Sequence, residues 1–475
     1  MPAVLLKCLL LCLLVSCFCI SYAAGTDTVE SEKHYSKQEL ITDVNTLTAY
    51  LSEVHPDMYH NVSPKDYERL KRKTIAALRD GMTLQEAWLQ LGPLLGVLNE
   101  GHSYLDFPAA AVAQIKAAPG AIFPITLQSF DGKYFVAGAD VSVEGQLLPG
   151  DLIASINHIP APQLVDKLSA HQGGLQSWRA LDVCREMIGY LYVYQVRSPF
   201  HIVYLRDGIQ HETTVNGLSF ETYRARRKEK AGNIPVASPR PNQAFRFLDT
   251  ANAYLELNTL TQSPDSFRLF LDSVFTRLQQ QPVRKLIVDI RKNGGGNSEL
   301  GEILLGYLTG KPFRIAGGVK WKVSQTYKDV LKARQEGNSD QEDGFYFNQK
   351  NGTVITMGTD TPKAPGAQPL RFTGKVVVLI GTHTFSSANM LANAIGDYHL
   401  ATLMGQPTGE PANDYGEIIQ LELPNTKLGF TTATKQFIRA NGDARSTLPV
   451  MPDITVADDP ATPGDEVLEA AMQLK

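Results

Sequence analysis

The sequence predicts an α/β protein, because strand-like and helix-like segments alternate along its last half. Strands are predicted over residues 253–257, 285–290 and 375–380, and helices over residues 263–279 and 298–309. This alternation is typical of repeated β/α units around a largely parallel sheet. Helical spacing over residues 25–107 and a mostly β pattern over residues 108–237 predict two further regions before a catalytic domain over residues 238–475.

A buried strand followed by a helix contains the most informative serine. Residues 375–380 form an apolar, β-branched run, and helical spacing after it relates Ala388, Leu391, Ala392 and Ile395. Ser386 therefore lies at a strand-to-helix turn, where free N–H groups and the positive end of the helix dipole favour developing negative charge. A serine that merely caps the helix suits the same position, so this stretch alone leaves both roles open.

A glycine loop follows the strand predicted over residues 285–290. Its sequence over residues 289–296 is Asp-Ile-Arg-Lys-Asn-Gly-Gly-Gly, and three glycines let the backbone approach a ligand closely and direct N–H groups at an anion. The GK[ST] ending of a P-loop and the GxGxxG spacing are both missing. An oxyanion hole therefore fits this loop better than a phosphate site.

His102 ends the helical region, after Gly101 and before a strand-like stretch. A histidine in this position is either a hydrogen-bonded structural residue or a base, and the local sequence does not choose between them.

The β region contains a segment that resembles the PDZ signature. Strands are predicted over residues 123–127, 134–138 and 152–156, with a helix over residues 163–170. Between them, residues 147–157 read Leu-Leu-Pro-Gly-Asp-Leu-Ile-Ala-Ser-Ile-Asn, which suits a groove where an extended peptide adds as a strand; an ordinary β-turn is the alternative. The basic residues 223–241 predict a solvated connector, and residues 317–361 predict a mobile loop or lid.

The first residues have the features of an export signal. Lys7 precedes an apolar run, and small residues near Ala23 suit signal peptidase, which places a signal peptide at residues 1–24. The segment ending at Cys17 also resembles a lipobox, so plain secretion and a lipoprotein anchored through Cys17 are both open. The prediction is an exported protein in the periplasm, cell envelope or extracellular space, with Cys184 as its one mature thiol and no disulfide framework.

Composition argues against several classes of partner. The net charge is −4 with 20% charged residues, and no extended basic patch indicates nucleic-acid binding. The ten histidines are scattered without ligand spacing, so neither a metal nor another cofactor is expected.

Taken together, these motifs resemble the carboxy-terminal processing, or tail-specific, serine peptidases. The resemblance rests on the glycine loop at 289–296, on Thr384-Phe-Ser-Ser-Ala-Asn389, on Asp397, on Gly405-Gln-Pro-Thr-Gly409 and on Pro452-Asp453-Ile454. It implies a catalytic domain of the Clp-protease/crotonase type, with Ser386 as nucleophile and backbone donors from Ser387, Gly294 and Gly295.

The resemblance also implies which residue acts as the base. Prokaryotic members use a lysine after the glycine-threonine segment, but Glu410-Pro411-Ala412 stands there in this sequence. The histidine-containing branch, which includes tricorn core protease and interphotoreceptor retinoid-binding protein, has its histidine where His102 lies. The third member of the triad is not placed by motif, and Glu417 is the candidate.

Two functions follow as expectations. The first is an exported serine-type endopeptidase that hydrolyses peptides or unfolded proteins through an acyl-enzyme on Ser386, with His102 as general base. The alternative is a non-catalytic protein that binds a peptide or an apolar ligand on the same fold. A crotonase-like acyl-CoA enzyme shares the fold, but the export signal and the PDZ-like segment disfavour it.

Overall fold

A computed structural model describes residues 33–143, 145–233, 241–335, 343–358, 361–460, 462 and 464–475. The predicted signal peptide and Cys17 lie outside these residues. Within them, no helix has both the length and the apolar character needed to cross a bilayer.

The N-terminal region is helical, and capping side chains set where its helices begin. Ser36 and Thr83 each form a capping box with the glutamate three residues later, and Ser63 caps a helix that has proline at its first position. The elements are β1 (His34–Tyr35), α1 (Lys37–Val54), α2 (Pro64–Ala77), β2 (Met82–Thr83), α3 (Leu84–Leu91), α4 (Pro93–Gly96) and β3 (Tyr104–Leu105).

The second region is an antiparallel β module with flanking helices. Its elements are α5 (Ala109–Ala117), β4 (Ile125–Phe130), β5 (Lys133–Ala139), β6 (Leu152–Ile156), β7 (Ile159–Pro160), α6 (Ala161–Leu168), α7 (Gln176–Arg185), α8 (Met187–Val193), β8 (Phe200–Arg206), β9 (Ile209–Val215) and α9 (Phe220–Asn233). The sheet order is β4-β5-β6-β8-β9, with β7 beside β6. One apolar core joins this module to the N-terminal helices, so the two regions pack together.

The predicted connector over residues 223–241 is only partly a connector. Most of its basic segment is the second part of α9, and Arg226 forms an ion pair with Asp140 of the β module. A run of arginines and lysines has good helix propensity, which outweighs the solvated-loop character that its charge suggests. Residues 234–240 lie outside the described part.

The last region contains the parallel sheet that the alternating pattern predicts. Its elements are β10 (Gln243–Phe247), β11 (Asn252–Leu257), α10 (Pro264–Gln280), β12 (Lys285–Asp289), α11 (Ser298–Leu308), β13 (Gly318–Lys322), α12 (Gln325–Gln335), α13 (Asp343–Phe347), β14 (Val354–Gly358), β15 (Lys375–Ile380), α14 (Ser387–Asp397), β16 (Thr402–Gly405), β17 (Asp414–Glu422), β18 (Gly429–Ile438), β19 (Ile454–Thr455) and α15 (Glu466–Gln473). The order β10-β11-β12-β15-β16-β19 is parallel from β11 onward, and its central strands are buried.

A second sheet has the order β14-β13-β18-β17 and is antiparallel, with β3 added to β18. It changes the interpretation of residues 317–361, for which the sequence predicts a mobile loop or lid. Their described residues form β13 and β14, paired residue by residue, with α12 and α13 between them, and Tyr327 and Tyr346 are buried. Most of the polar segment that suggests a loop, residues 336–342, lies outside the described residues.

Candidate active site

Ser386 lies at the turn between β15 and α14, in a backbone conformation that L residues rarely adopt. Its φ of 53° and ψ of −128° fall in a region that costs about 1–3 kcal/mol for a residue with a side chain. Two contacts hold this turn: the Phe385 N–H donates to the Asn293 carbonyl at 3.0 Å, and the Ser386 N–H donates to Oε2 of Glu410. The hydroxyl therefore sits at the start of α14 without capping it.

His102 reaches Ser386 because β3 pairs with β18. The register aligns Tyr104 with Thr431, and the Thr431 hydroxyl donates to the His102 carbonyl at 2.9 Å. Nε2 of His102 then lies 3.3 Å from Oγ of Ser386, although the two residues are far apart in sequence. The structure thus brings together the nucleophile and the base that the sequence predicts.

The residue on the far side of the imidazole is Glu410, which the sequence motifs do not single out. Its Oε1 lies 3.0 Å from Nδ1 of His102 as an ion pair, and its side chain is 3% exposed. Because Nδ1 faces a carboxylate, the tautomer with hydrogen on Nδ1 is favoured, and Nε2 is left to accept a proton from Ser386. One side chain thereby contacts both the base and the nucleophile's own N–H.

The prediction of Glu417 as the third member of the triad is wrong, because the structure places its carboxylate away from His102. Its carboxylate accepts a hydrogen bond from Tyr327 at 2.6 Å and pairs with Lys435, so its partners lie elsewhere than at His102. Glu417 lies on β17, after the loop that passes Ser386, and the strand carries it away from the imidazole. The signal for Glu410 was its position immediately after Gly405–Gly409, where the resemblance implied a lysine base.

Buried carboxylates control the charge of the site. Burial lowers the pKa of His102, but Glu410, followed by Glu100 and Asp414, raises this pKa to about 9. Burial raises the pKa of Asp414 well above its ordinary value, and the charge of Glu410 adds to the rise. Of two such neighbouring carboxyls one keeps its proton, and the N–H donors of His102 and Ser386 favour the charge on Glu410.

The glycine loop packs directly against Ser386, with one change to the predicted oxyanion donors. The Gly295 N–H donates to Oδ1 of Asn293 at 2.9 Å, so this donor is already used inside the loop. Gly295 instead allows close approach: with φ of 100°, an added Cβ would lie 2.7 Å from Cβ of Ser386. Within the described part of the chain, the N–H groups of Gly294 and Ser387 have no hydrogen-bond acceptor, which leaves them to serve an oxyanion.

Asn293 is a further residue that the sequence motifs do not single out. It is fully buried, its Nδ2 donates to the Leu257 carbonyl at 3.0 Å, and its own carbonyl accepts the Phe385 N–H. It therefore joins β11, the glycine loop and the nucleophile turn. The local sequence could not show this, because its partners in β11 and in the nucleophile turn are distant along the chain.

An aromatic stack joins the β module to the catalytic turn. The Phe385 ring lies 5.0 Å from the His102 ring and 4.0 Å from the Trp178 ring, measured between centroids. Trp178 belongs to α7, so the β module helps to form the wall behind the base. Among the described residues no group of three or more His, Cys, Asp or Glu side chains is arranged to hold a metal ion.

Nucleophilic catalysis on a carbonyl needs a hydroxyl, an imidazole and a carboxylate in contact, with free N–H donors beside the hydroxyl. This site has all of these groups. The parallel sheet and its helices match the Clp-protease-like catalytic fold. Together these features define the class of a serine hydrolase.

Comparison with known proteins agrees with this class. Residues 252–456 match the model of peptidase family S41. None of the curated protein sequences compared with the chain matches it.

Among solved structures, the crystal structure of mature CPAF is 15% identical, covering 92% of this chain and 96% of that one with a TM-score of 0.62. Mature CPAF in complex with lactacystin gives 15% identity, coverage of 92% and 97%, and a TM-score of 0.62. At these identities the likeness shows a shared fold.

The chain is therefore a serine peptidase that acts on peptides or proteins. The match over residues 252–456 supports a peptidase of the tail-specific, or carboxy-terminal processing, type.

Proposed function

We propose that the protein is an exported endopeptidase that cleaves peptides or unfolded proteins through an acyl-enzyme on Ser386. The observation that carries the proposal is the continuous contact from Oγ of Ser386 to Nε2 of His102 at 3.3 Å, and from Nδ1 of His102 to Oε1 of Glu410 at 3.0 Å. These two contacts are sufficient for general base catalysis by His102.

In the first half of the reaction, Ser386 Oγ attacks the scissile carbonyl carbon while Nε2 of His102 takes the hydroxyl proton. The carbonyl oxygen becomes an oxyanion, which accepts hydrogen bonds from the N–H groups of Ser387 and Gly294. One such donor lowers a barrier of this kind by about 3–4 kcal/mol. The intermediate then collapses, the C–N bond breaks, and the leaving amine takes the proton from His102.

In the second half, a water molecule attacks the ester carbonyl of the acyl-enzyme and gives its proton to Nε2 of His102. The C–O bond to Ser386 breaks, the hydroxyl recovers its proton from His102, and the new carboxyl product leaves. Glu410 stabilises the imidazolium in both halves, because its buried carboxylate faces Nδ1.

Export and substrate binding are part of the same proposal. Residues 1–24 have the charged start, apolar run and small residues of a signal peptide. The alternative to plain secretion is a lipoprotein that is anchored to the envelope through Cys17. The β module has the segment that resembles a PDZ signature, and β9, a mostly exposed strand at the edge of its sheet, suits pairing with an extended peptide. Unfolded chains are suitable substrates, since only an extended segment can add to a strand edge.

The test is covalent labelling of the purified mature protein with a fluorescent fluorophosphonate, followed by intact mass and peptide mapping. The expected result is one adduct at Ser386, lost in Ser386→Ala and slowed strongly in His102→Ala. Ser142→Ala, a change in an exposed turn of the β module, is the matched control and should label like the wild type.

Absence of an adduct in folded wild-type protein, or labelling that persists in Ser386→Ala, contradicts the proposal. Saturable binding of a peptide or an apolar ligand without turnover would then support the non-catalytic alternative. A fluorescent unfolded protein such as labelled casein completes the test, because its cleavage should be lost in the same variants that lose the adduct.

A further inference from the structure

A second buried carboxylate, that of Glu100, contacts the backbone of His102. Glu100 is 3% exposed, and its Oε2 accepts the backbone N–H of His102 at 2.7 Å. The contact is local in sequence but closes a tight turn, since Asn99 has a φ of 57° and an added Cβ on Gly101 would lie 2.6 Å from Phe385. The carboxylate therefore fixes where the His102 backbone begins its approach to Ser386.

His55, at the end of α1, faces the other oxygen of this carboxylate. Its Nδ1 accepts the Asp57 N–H at 3.1 Å, so Nε2 carries the hydrogen and is directed at Oε1 of Glu100, 3.6 Å away. Within the described part, neither of these two buried atoms has a hydrogen bond elsewhere. His55 is fully buried and its ring lies 4.9 Å from that of Tyr415 on β17, so it cannot swing to water.

A buried charge in this position demands an explanation, because desolvation of a carboxylate costs several kcal/mol and the fold itself could use an apolar side chain. We propose that Glu100 and His55 form a positioning pair for the catalytic base: Glu100 holds the backbone of His102 and keeps a fixed negative charge beside its imidazole. The inference rests on the proposed function, in which His102 is that base.

The charges that act on His102 come from three segments of the chain. Glu410 faces it from the loop after β16, Asp414 from the start of β17, and Glu100 from its own segment. Burial alone would raise the pKa of Glu100, but His55, followed by His102 and Ser103, lowers this pKa to about 2. Glu100 is consequently charged wherever the enzyme works, and its charge favours the imidazolium that forms during catalysis.

The test uses histidine labelled with ¹³C and ¹⁵N in the Ser386→Ala background, where the His102 imidazole titration is followed by NMR. The His102 signals are assigned by their loss in His102→Gln. Glu100→Gln keeps an oxygen for the His102 N–H but removes the charge, and it should lower the midpoint of the His102 titration by about one pH unit. Glu100→Asp keeps the charge but shortens the reach, so its midpoint should stay near that of the wild type while kcat/KM falls in the Ser386 enzyme.

Asp43→Asn is the matched control, because Asp43 is also fully buried and accepts hydrogen bonds from Asn425 and Thr426 at the far end of the β17–β18 hairpin. It should leave the His102 midpoint unchanged. An unchanged midpoint in folded Glu100→Gln, or an equal change in Asp43→Asn, overturns the inference.

A measurement on unsubstituted Glu100 covers the case in which Glu100→Gln does not fold. The backbone amide of His102 should be strongly protected from hydrogen exchange, and exchange as fast as that of an exposed loop amide overturns the inference. Failure of fluorophosphonate labelling refutes the proposed function instead, since the NMR titration does not depend on turnover.

Discussion

Replacing Glu410 with glutamine tests the geometry of the site most directly. The two oxygens of Glu410 have different partners: Oε1 faces Nδ1 of His102, and Oε2 accepts the Ser386 N–H. Glutamine has a single oxygen, so one of the two contacts must become an N–H facing another N–H. If the amide oxygen keeps Ser386, the NH₂ group faces Nδ1, and the proton of the imidazole moves to Nε2.

An imidazole with its proton on Nε2 cannot accept the Ser386 proton. Substitution of the orienting carboxylate in serine peptidases costs about 10⁴ in kcat for this reason, which corresponds to about 5.5 kcal/mol of barrier. If the oxygen instead keeps His102, the NH₂ group opposes the Ser386 N–H and the strained turn loses its support. Both outcomes reduce acylation.

The assay is the second-order rate of fluorophosphonate labelling, together with kcat/KM on labelled casein. Glu417→Gln is the matched control, because it removes the same charge from a residue whose partners are Tyr327 and Lys435. Its acylation rate should stay close to that of the wild type. A loss of less than about tenfold in folded Glu410→Gln, or an equal loss in Glu417→Gln, would refute the assignment of Glu410.

Two further predictions concern pH and the glycine loop. Although burial lowers the pKa of His102, Glu410 and the neighbouring carboxylates raise this pKa to about 9. Because only the neutral imidazole accepts a proton, kcat/KM should rise with pH up to about this value. A rise that is complete below neutral pH would contradict a pKa raised by these carboxylates. Gly295→Ala should abolish labelling, because the added Cβ would lie 2.7 Å from Cβ of Ser386 at a φ of 100°. The control Gly306→Ala, which places its Cβ in open space on α11, should label normally. Equal labelling of both variants would be inconsistent with this packing.

Local pattern was sufficient for the elements that carry the nucleophile. The strand predicted over residues 375–380 is β15, and the residues at helical spacing after it lie on α14. Both predictions succeeded because an apolar run and an amphipathic period follow directly from which side chains are buried. Ser386 and the glycine loop could be proposed for the same reason, since each follows its own strand. In the lid predicted over residues 317–361, the described residues form a hairpin with two helices, because polar composition does not distinguish a loop from such elements; residues 336–342 and 359–360 lie outside the described part.

The choice between Glu410 and Glu417 lay beyond local pattern. Glu410 lies in the loop between β16 and β17, and Glu417 lies on β17 itself. The two glutamates are close in sequence, but the backbone directs them to different parts of the structure. The bridge between Pro411 and Pro449 and the hydrogen bond from the Asn389 side chain to the Pro411 carbonyl hold this segment against α14. That packing keeps Glu410 beside His102, while the β17–β18 pairing takes Glu417 to Tyr327 and Lys435.

The sequence by itself determined the class of fold and the positions of the serine turn and the glycine loop, because each of these depends on residues adjacent in the chain. The roles of Ser386 as nucleophile and His102 as base came from the resemblance of the motifs to a known family. Only the tertiary structure decided the third member of the triad, the use of the Gly295 N–H within its own loop, and the carboxylates around His102. The physical reason is that hydrogen bonds and charge interactions act over a few ångströms in space. The groups around His102 come from its own segment, the loop after β16 and the start of β17, and their proximity is set by how β3 and β18 pair across the whole chain.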